Sequence, residues 1–168
     1  MNMKSVRIAL SLSLLFAATC AIAQSTAQKS FDQLKSLAGS WEGKNSEGKP
    51  LRVSFRDTAG GSALMSEIQG EGHENMISMI HLDGPNRLLM THYCGAGNQP
   101  RMSASTSPDG KTITFDFFDA TNLATPDAGH MQRVVFTMVD ANHHTEDWTF
   151  FAGPGKEMKE FFDLTRKM

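Results

Sequence analysis

Cysteine is nearly absent from this chain. Of 168 residues only Cys20 and Cys94 are cysteines, so no disulfide framework holds the fold and stability must come from a core. Positive charge is not in surplus either: 16 Lys and Arg stand against 18 Asp and Glu. With no basic stripe, nucleic acid is excluded as a partner. No apolar run reaches the roughly 20 residues that a membrane-crossing helix needs. A Gly-x-Ser-x-Gly elbow is missing, as is any short-spaced set of metal ligands, which removes the strongest sequence marks of a serine hydrolase or a zinc site. Repeats, low-complexity blocks and a strand–helix alternation are also lacking, so a parallel α/β sheet is not expected.

What is present begins with a leader. Lys4 and Arg7 precede an apolar run from Ile8 to Ala18, and Ala21-Ile22-Ala23 is a small-x-small cleavage pattern. This reads as a secretory signal peptide over 1–23, cut before Gln24, leaving no stable membrane anchor and a periplasmic or secreted product. Cleavage removes two basic residues and no acidic one, leaving 14 against 18 and a formal charge of −4. Cys20 departs with the leader, and Cys94 is read as a small buried hydrophobe. Residues 24–30 are polar and read as a flexible leader to a single domain over 31–168.

That domain opens on Phe31-Asp32-Gln33-Leu34-Lys35-Ser36-Leu37-Ala38-Gly39-Ser40-Trp41. Phe31, Leu34, Leu37 and Ala38 form a helical stripe, with Asp32 suiting its first turn and Gly39 its stop. From Ser40 onward the period changes. Turn-forming clusters recur at short, even spacing, and the segments between them alternate apolar residues with Thr and charged side chains. Ten strands are expected, near 40–46, 50–57, 62–69, 75–82, 87–94, 101–107, 111–118, 130–139, 143–151 and 157–166. The fold class is all-β: a closed up-and-down antiparallel barrel of about ten strands, with the short helix closing one mouth.

The last three strands allow their faces to be assigned. A three-residue loop at Asp140-Ala141-Asn142 sets Met138 opposite His144, Phe136 opposite Glu146, Val134 opposite Trp148 and Gln132 opposite Phe150. A turn over 152–156 then sets Trp148 opposite Glu160 and Glu146 opposite Phe162. The even-numbered face is large and apolar and points inward; the odd face carries Arg133, Thr145, Asp147 and Lys159 and points to solvent. Among the inward residues are His130, Gln132, His144, Glu146 and Glu160. Either the His residues and Glu160 are wetted at the mouths, or Gln132 and Glu146 join Trp148 in orienting a ligand's polar head. The 75–94 hairpin is apolar on both faces; the face with Met79, Met90 and His92 is taken as inward. The ten Met residues beyond the initiator suit a cavity that accepts apolar ligands, though Met also fills ordinary cores.

Gly39-Ser40-Trp41 after a short helix, with Arg166 near the end of the last strand, resembles the signature of the calycins, the lipocalins and fatty-acid-binding proteins. The resemblance implies that Arg166 stacks on Trp41 and donates to carbonyls at the helix end. The chain is also similar to exported bacterial lipocalin-like families of uncharacterised role, in the stretch Met90-Thr91-His92-Tyr93-Cys94 through Met102. More distantly it resembles the nitrobindin-type haem barrels, through Gly39, Trp41, Gly43, Gly48 and Pro50. Asn45 and Glu47 depart from that pattern, and no His lies in 145–168 where those barrels place their iron ligand.

The reading that follows is an exported protein that binds a small apolar or amphipathic ligand in its lumen, with His92, His130, Gln132, Glu146 and Trp148 as ligand-binding candidates and no cofactor. One alternative is a lumenal enzyme of isomerase or hydrolase type, with Glu146 as general acid or base. A second is a haem or metal barrel using His92, His130 or His144.

Overall fold

In a computed structural model of the protein, residues 24–70 and 75–167 are described; the signal sequence expected over 1–23 lies outside them. Helix α1 (Thr26–Lys35) starts five residues earlier than its apolar stripe suggests. Ser25 is its N-cap, its Oγ accepting from the Gln28 backbone N–H at 3.2 Å. The segment 24–30 is therefore mostly helix rather than a flexible leader. The signal is the Ser25-x-x-Gln28 pattern of a capping box, and the reason is that Ala27 and Ser30 extend the buried face one turn backward. Asp32 sits mid-helix, Leu37 is buried in the turn that follows, and Ala38 is exposed.

Ten strands follow: β1 (Gly39–Lys44), β2 (Pro50–Thr58), β3 (Ala63–Gly70), β4 (Met76–Leu82), β5 (Leu88–Tyr93), β6 (Gln99–Thr106), β7 (Thr112–Thr121), β8 (His130–Asp140), β9 (His143–Phe151) and β10 (Glu157–Arg166). Each is antiparallel to the next, and β1 pairs with β10 to close the barrel. Closure leaves no free sheet edge, which removes the usual route to edge-to-edge aggregation.

The helix lies across one end of this barrel. Lys35 Nζ donates to Gly61 O at 3.1 Å, Ser30 Oγ bonds Thr106 Oγ1 at 2.7 Å, and Ser25 Oγ donates to Pro85 O. Turns or strand ends of three successive hairpins are thus tied to the helix, while Phe31 and Leu34 enter the core beneath it. Trp41 is fully buried and donates to Leu37 O at 2.7 Å. Above it, the Arg166 guanidinium lies 4.3 Å from the indole centroid and donates to Ala38 O and Ser36 O, each at 2.8 Å. Arg166 therefore satisfies carbonyls that the end of the helix leaves free. Gly43 has no room for a side chain, since a Cβ there would lie 1.9 Å from the Asp163 carbonyl oxygen.

The interior alternates as the pleat requires, but two local shifts move residues off their expected face. In the β4–β5 hairpin the loop holds five residues, closed by Asp83 N–H to Arg87 O at 2.8 Å with Gly84 at φ +69°. A four-residue loop would pair Met79 with Met90; the fifth residue pairs Ile80 with Met90 and Ser78 with His92. His92 and Met90 do face inward, but Met79 faces outward and Ser78 and Ile80 replace it, because a one-residue slip exchanges the faces of a strand. In β8 a bulge falls between Met131 and Arg133, so that Met131 rather than Gln132 pairs with Phe150. The expected pairs Met138–His144, Phe136–Glu146, Val134–Trp148, Trp148–Glu160 and Glu146–Phe162 are all present. Cys94 is only partly buried, its Sγ accepting from Ala96 N–H at 3.5 Å.

Candidate ligand-binding site

Strand β9 carries the polar centre of the barrel. Alternation places His144, Glu146 and Trp148 side by side on its inward face, all buried. Glu146 has no exposed surface, and both of its oxygens are engaged: Trp148 Nε1–H donates to Oε2 at 2.8 Å and His144 Nε2 lies 3.2 Å from Oε1. Nδ1 of His144 is buried without a hydrogen-bond partner among the described residues. A proton on Nδ1 would be a stranded donor, whereas one on Nε2 is aimed at Glu146. The His144 ring in turn packs edge-on against Trp41 at 4.3 Å. Far from being wetted at a mouth, His144 is sealed beneath the helix.

Across the lumen, His92 on β5 faces Trp148 with ring centroids 5.1 Å apart. Its Nδ1 is 2.9 Å from Ser78 Oγ, while Nε2 is buried and has no hydrogen-bond partner among the described residues. Burial lowers the His92 pKa from 6.5 to about 4, because a charged imidazolium would lose its hydration without gaining a counter-charge. His92, Glu146 and Trp148 thus form one continuous interior group.

His130 and Gln132 do not join that group. The β8 bulge leaves them bonded to each other, His130 Nε2 to Gln132 Oε1 at 3.1 Å, near the end of the barrel away from the helix. The His130 ring is held between Phe117 and Phe151 at 4.2 and 5.0 Å, and its Nδ1 meets Ala128 O at 2.8 Å. The pairing of Gln132 with Glu146 around a ligand head is therefore not formed. Nor do His92, His130 and His144 converge: among the described residues no three His, Cys, Asp or Glu side chains are grouped to hold a metal ion.

The lumen is largely filled by Trp41, Phe115, Phe136, Met90, Met102 and their neighbours. Among the described residues, a cavity of about 70 Å³ lies at the end opposite the helix. Its walls are mainly apolar, from Leu51, Ile68, Met76, Met131, Trp148 and Phe162, with Asn45, Lys49 and Glu160 among its polar members. Small-molecule sites that enclose a whole drug-sized ligand run to roughly 300–1,000 Å³. This one has room only for a short apolar segment. It does not fit a haem: the space is too small, and among the described residues no histidine lines it.

Apart from Trp148, the residues of this cavity were not among the sequence candidates. Met131 is reached only through the bulge, which no pattern in the residues announces. Glu160 was legible, as an inward carboxylate opposite Trp148. A wider hollow of about 700 Å³ lies open beside Glu42, Arg52, Gln69 and Asn75. Its charges are committed to one another: Lys167 and Arg52 bond Glu42 at 2.7 and 2.8 Å and hold its carboxyl below the usual carboxylate range.

Fold and site together define a closed ten-stranded antiparallel barrel, capped at one end and holding a small apolar cavity at the other. Among solved structures the chain is similar to Rv2717c from M. tuberculosis, with a TM-score of 0.59 and 14% identity over 83% of this chain and 98% of that one. At that identity the likeness is one of fold. No family model matches the chain, and no curated protein does.

Proposed function

We propose that the chain is an exported binding protein that takes the apolar part of a small amphipathic ligand into the cavity at its open end. The observation that carries this reading is the cavity itself: a space of about 70 Å³ with apolar walls at the end that the helix leaves uncovered. Trp148 and Phe162 form an aromatic surface there, and Glu160 and Asn45 supply polar groups. The barrel fold is compatible with such a role, and the calycin-like Gly39, Trp41 and Arg166 add to it by resemblance. Export belongs to the proposal and rests on the leader pattern of 1–23. N-terminal sequencing of the protein recovered from the periplasm or medium should begin at Gln24.

Glu146 carries no catalytic reading here. It is sealed from solvent and both of its oxygens already accept hydrogen bonds.

The decisive experiment is binding of short alkyl compounds followed by Trp148 fluorescence and by calorimetry. Met131→Phe adds volume inside the cavity while keeping an apolar core residue. The wild-type protein is expected to bind hexanol with a fluorescence change, and Met131→Phe to lose that binding without losing its fold. Undiminished binding in Met131→Phe would place the ligand elsewhere.

A further inference from the structure

Glu160 has a role that the packing of the barrel does not explain. It stands on β10 directly opposite Trp148, on the inward parity, and it lines the cavity. Its Oε2 is buried and has no hydrogen-bond partner among the described residues. The other polar groups nearby are occupied with the β1–β2 turn. Asn45 Oδ1 accepts from the backbone N–H groups of Glu47 and Lys49 at 3.0 and 2.9 Å, and Lys49 Nζ lies 2.5 Å from Glu47. A buried acceptor without a donor is destabilising, and native proteins rarely keep one for no reason.

We propose that Glu160 selects the ligand's head group: the cavity takes a short apolar chain that ends in a hydrogen-bond donor, with a primary ammonium bound best. This rests on the cavity reading above and adds a chemical class to it. With the chain lying on Trp148 and Phe162, an N–H of the head gives Glu160 Oε2 the partner it lacks. The ammonium also meets an opposite charge in a site largely screened from water. An alcohol supplies a donor but no charge. A carboxylate head supplies neither and sets two anions against each other, so fatty-acid-like anions are turned away by repulsion rather than by shape.

The test uses hexylamine, hexanol and hexanoate, which share a chain and differ in the head. Calorimetry gives the affinities, and loss of binding in Met131→Phe shows that the chain enters the same cavity. In the mature wild-type protein at neutral pH the expected order is amine, then alcohol, then carboxylate, with the amine at least about tenfold tighter than the carboxylate. Glu160→Gln should bring the amine to the level of the alcohol and narrow the gap to hexanoate to about threefold or less. Equal binding of amine and carboxylate by the wild type, or an amine preference that survives Glu160→Gln, overturns the role of Glu160 and leaves the cavity reading standing. Failure of all three compounds to bind the folded protein removes both. The wild-type order needs no variant, so a poorly folding Glu160→Gln would not protect the idea.

Discussion

His92 is the residue whose burial has the most direct consequence in solution. Its pKa falls from 6.5 to about 4 through desolvation. Between those values the unfolded chain holds a proton that the folded protein refuses, so acid favours unfolding. Stability is thus unaffected by this residue above about pH 6.5 and declines below it, by up to about 1.4 kcal/mol per pH unit, for a total near 3 kcal/mol by pH 4. Urea unfolding across that range should show the decline, and His92→Gln should show a shallower one; parallel curves would refute the assignment. Trp148 is the second such position. Trp148→Phe strips Glu146 Oε2 of its donor inside the core, with an expected loss of about 1–3 kcal/mol. Combined with Glu146→Gln, which replaces the accepting carboxyl by an amide, the loss should shrink by about 1 kcal/mol or more, and strict additivity of the two changes would argue against the bond. Both Glu146 and Trp148 are legible as inward residues because the solvent face is plainly polar and the parity expected from a three-residue loop is kept: the turn at Ala141-Asn142 and the irregularity between Met138 and Asp140 together pair Met138 with His144. Their partners are not legible. That Glu146 meets His144 and Trp148 depends on rotamers, and periodicity carries no rotamer.

At the scale of elements, the junction of α1, β1 and β10 decides whether the barrel closes. Arg166 joins all three, stacking on Trp41 of β1 and donating to the carbonyls of Ser36 and Ala38 from its place on β10. Arg166→Ala should cost about 2–4 kcal/mol, from charged hydrogen bonds and the cation–π contact together. Arg166→Lys should recover only part of it, because one ammonium cannot reproduce the planar fork. Chemical denaturation of both variants checks this, and a fully restored Lys variant would mean that charge alone matters. Elements are also where sequence reading succeeds and fails most visibly. All ten strands can be placed because turn residues separate them at even spacing. The start of the helix is obscured because Ser25 to Ser30 is polar by composition, although Ser25 and Gln28 have capping-box spacing. The inward face of β4 cannot be read from a strand apolar on both sides, where a single residue in the loop decides it. The fifth residue of the Asp83–Arg87 turn does so here.

For the whole molecule the question is how much of the container is empty. Alternation shows which residues point inward, but free volume depends on how those side chains interdigitate across ten strands, and no local pattern holds that information. The large residues Trp41, Phe115 and Phe136 are fully buried in the lumen, and the cavity at the end away from the helix measures about 70 Å³. This sets a limit on ligand length. Each methylene that enters the cavity should add about 0.8 kcal/mol, close to fourfold in affinity, and those left in solvent should add little. A series of primary amines from ethyl to decyl should therefore rise steeply in affinity and then level off. Met131 forms part of the wall; Met131→Ala enlarges the space at an expected cost of about 2–5 kcal/mol in stability. The levelling point should then move to a longer chain, while the slope before it stays the same. A plateau at the same length in both proteins would show that the chain does not end against Met131. A wild-type series that keeps rising through decyl would show that the barrel yields along its whole axis, with Trp148 and Phe162 moving aside rather than forming a floor.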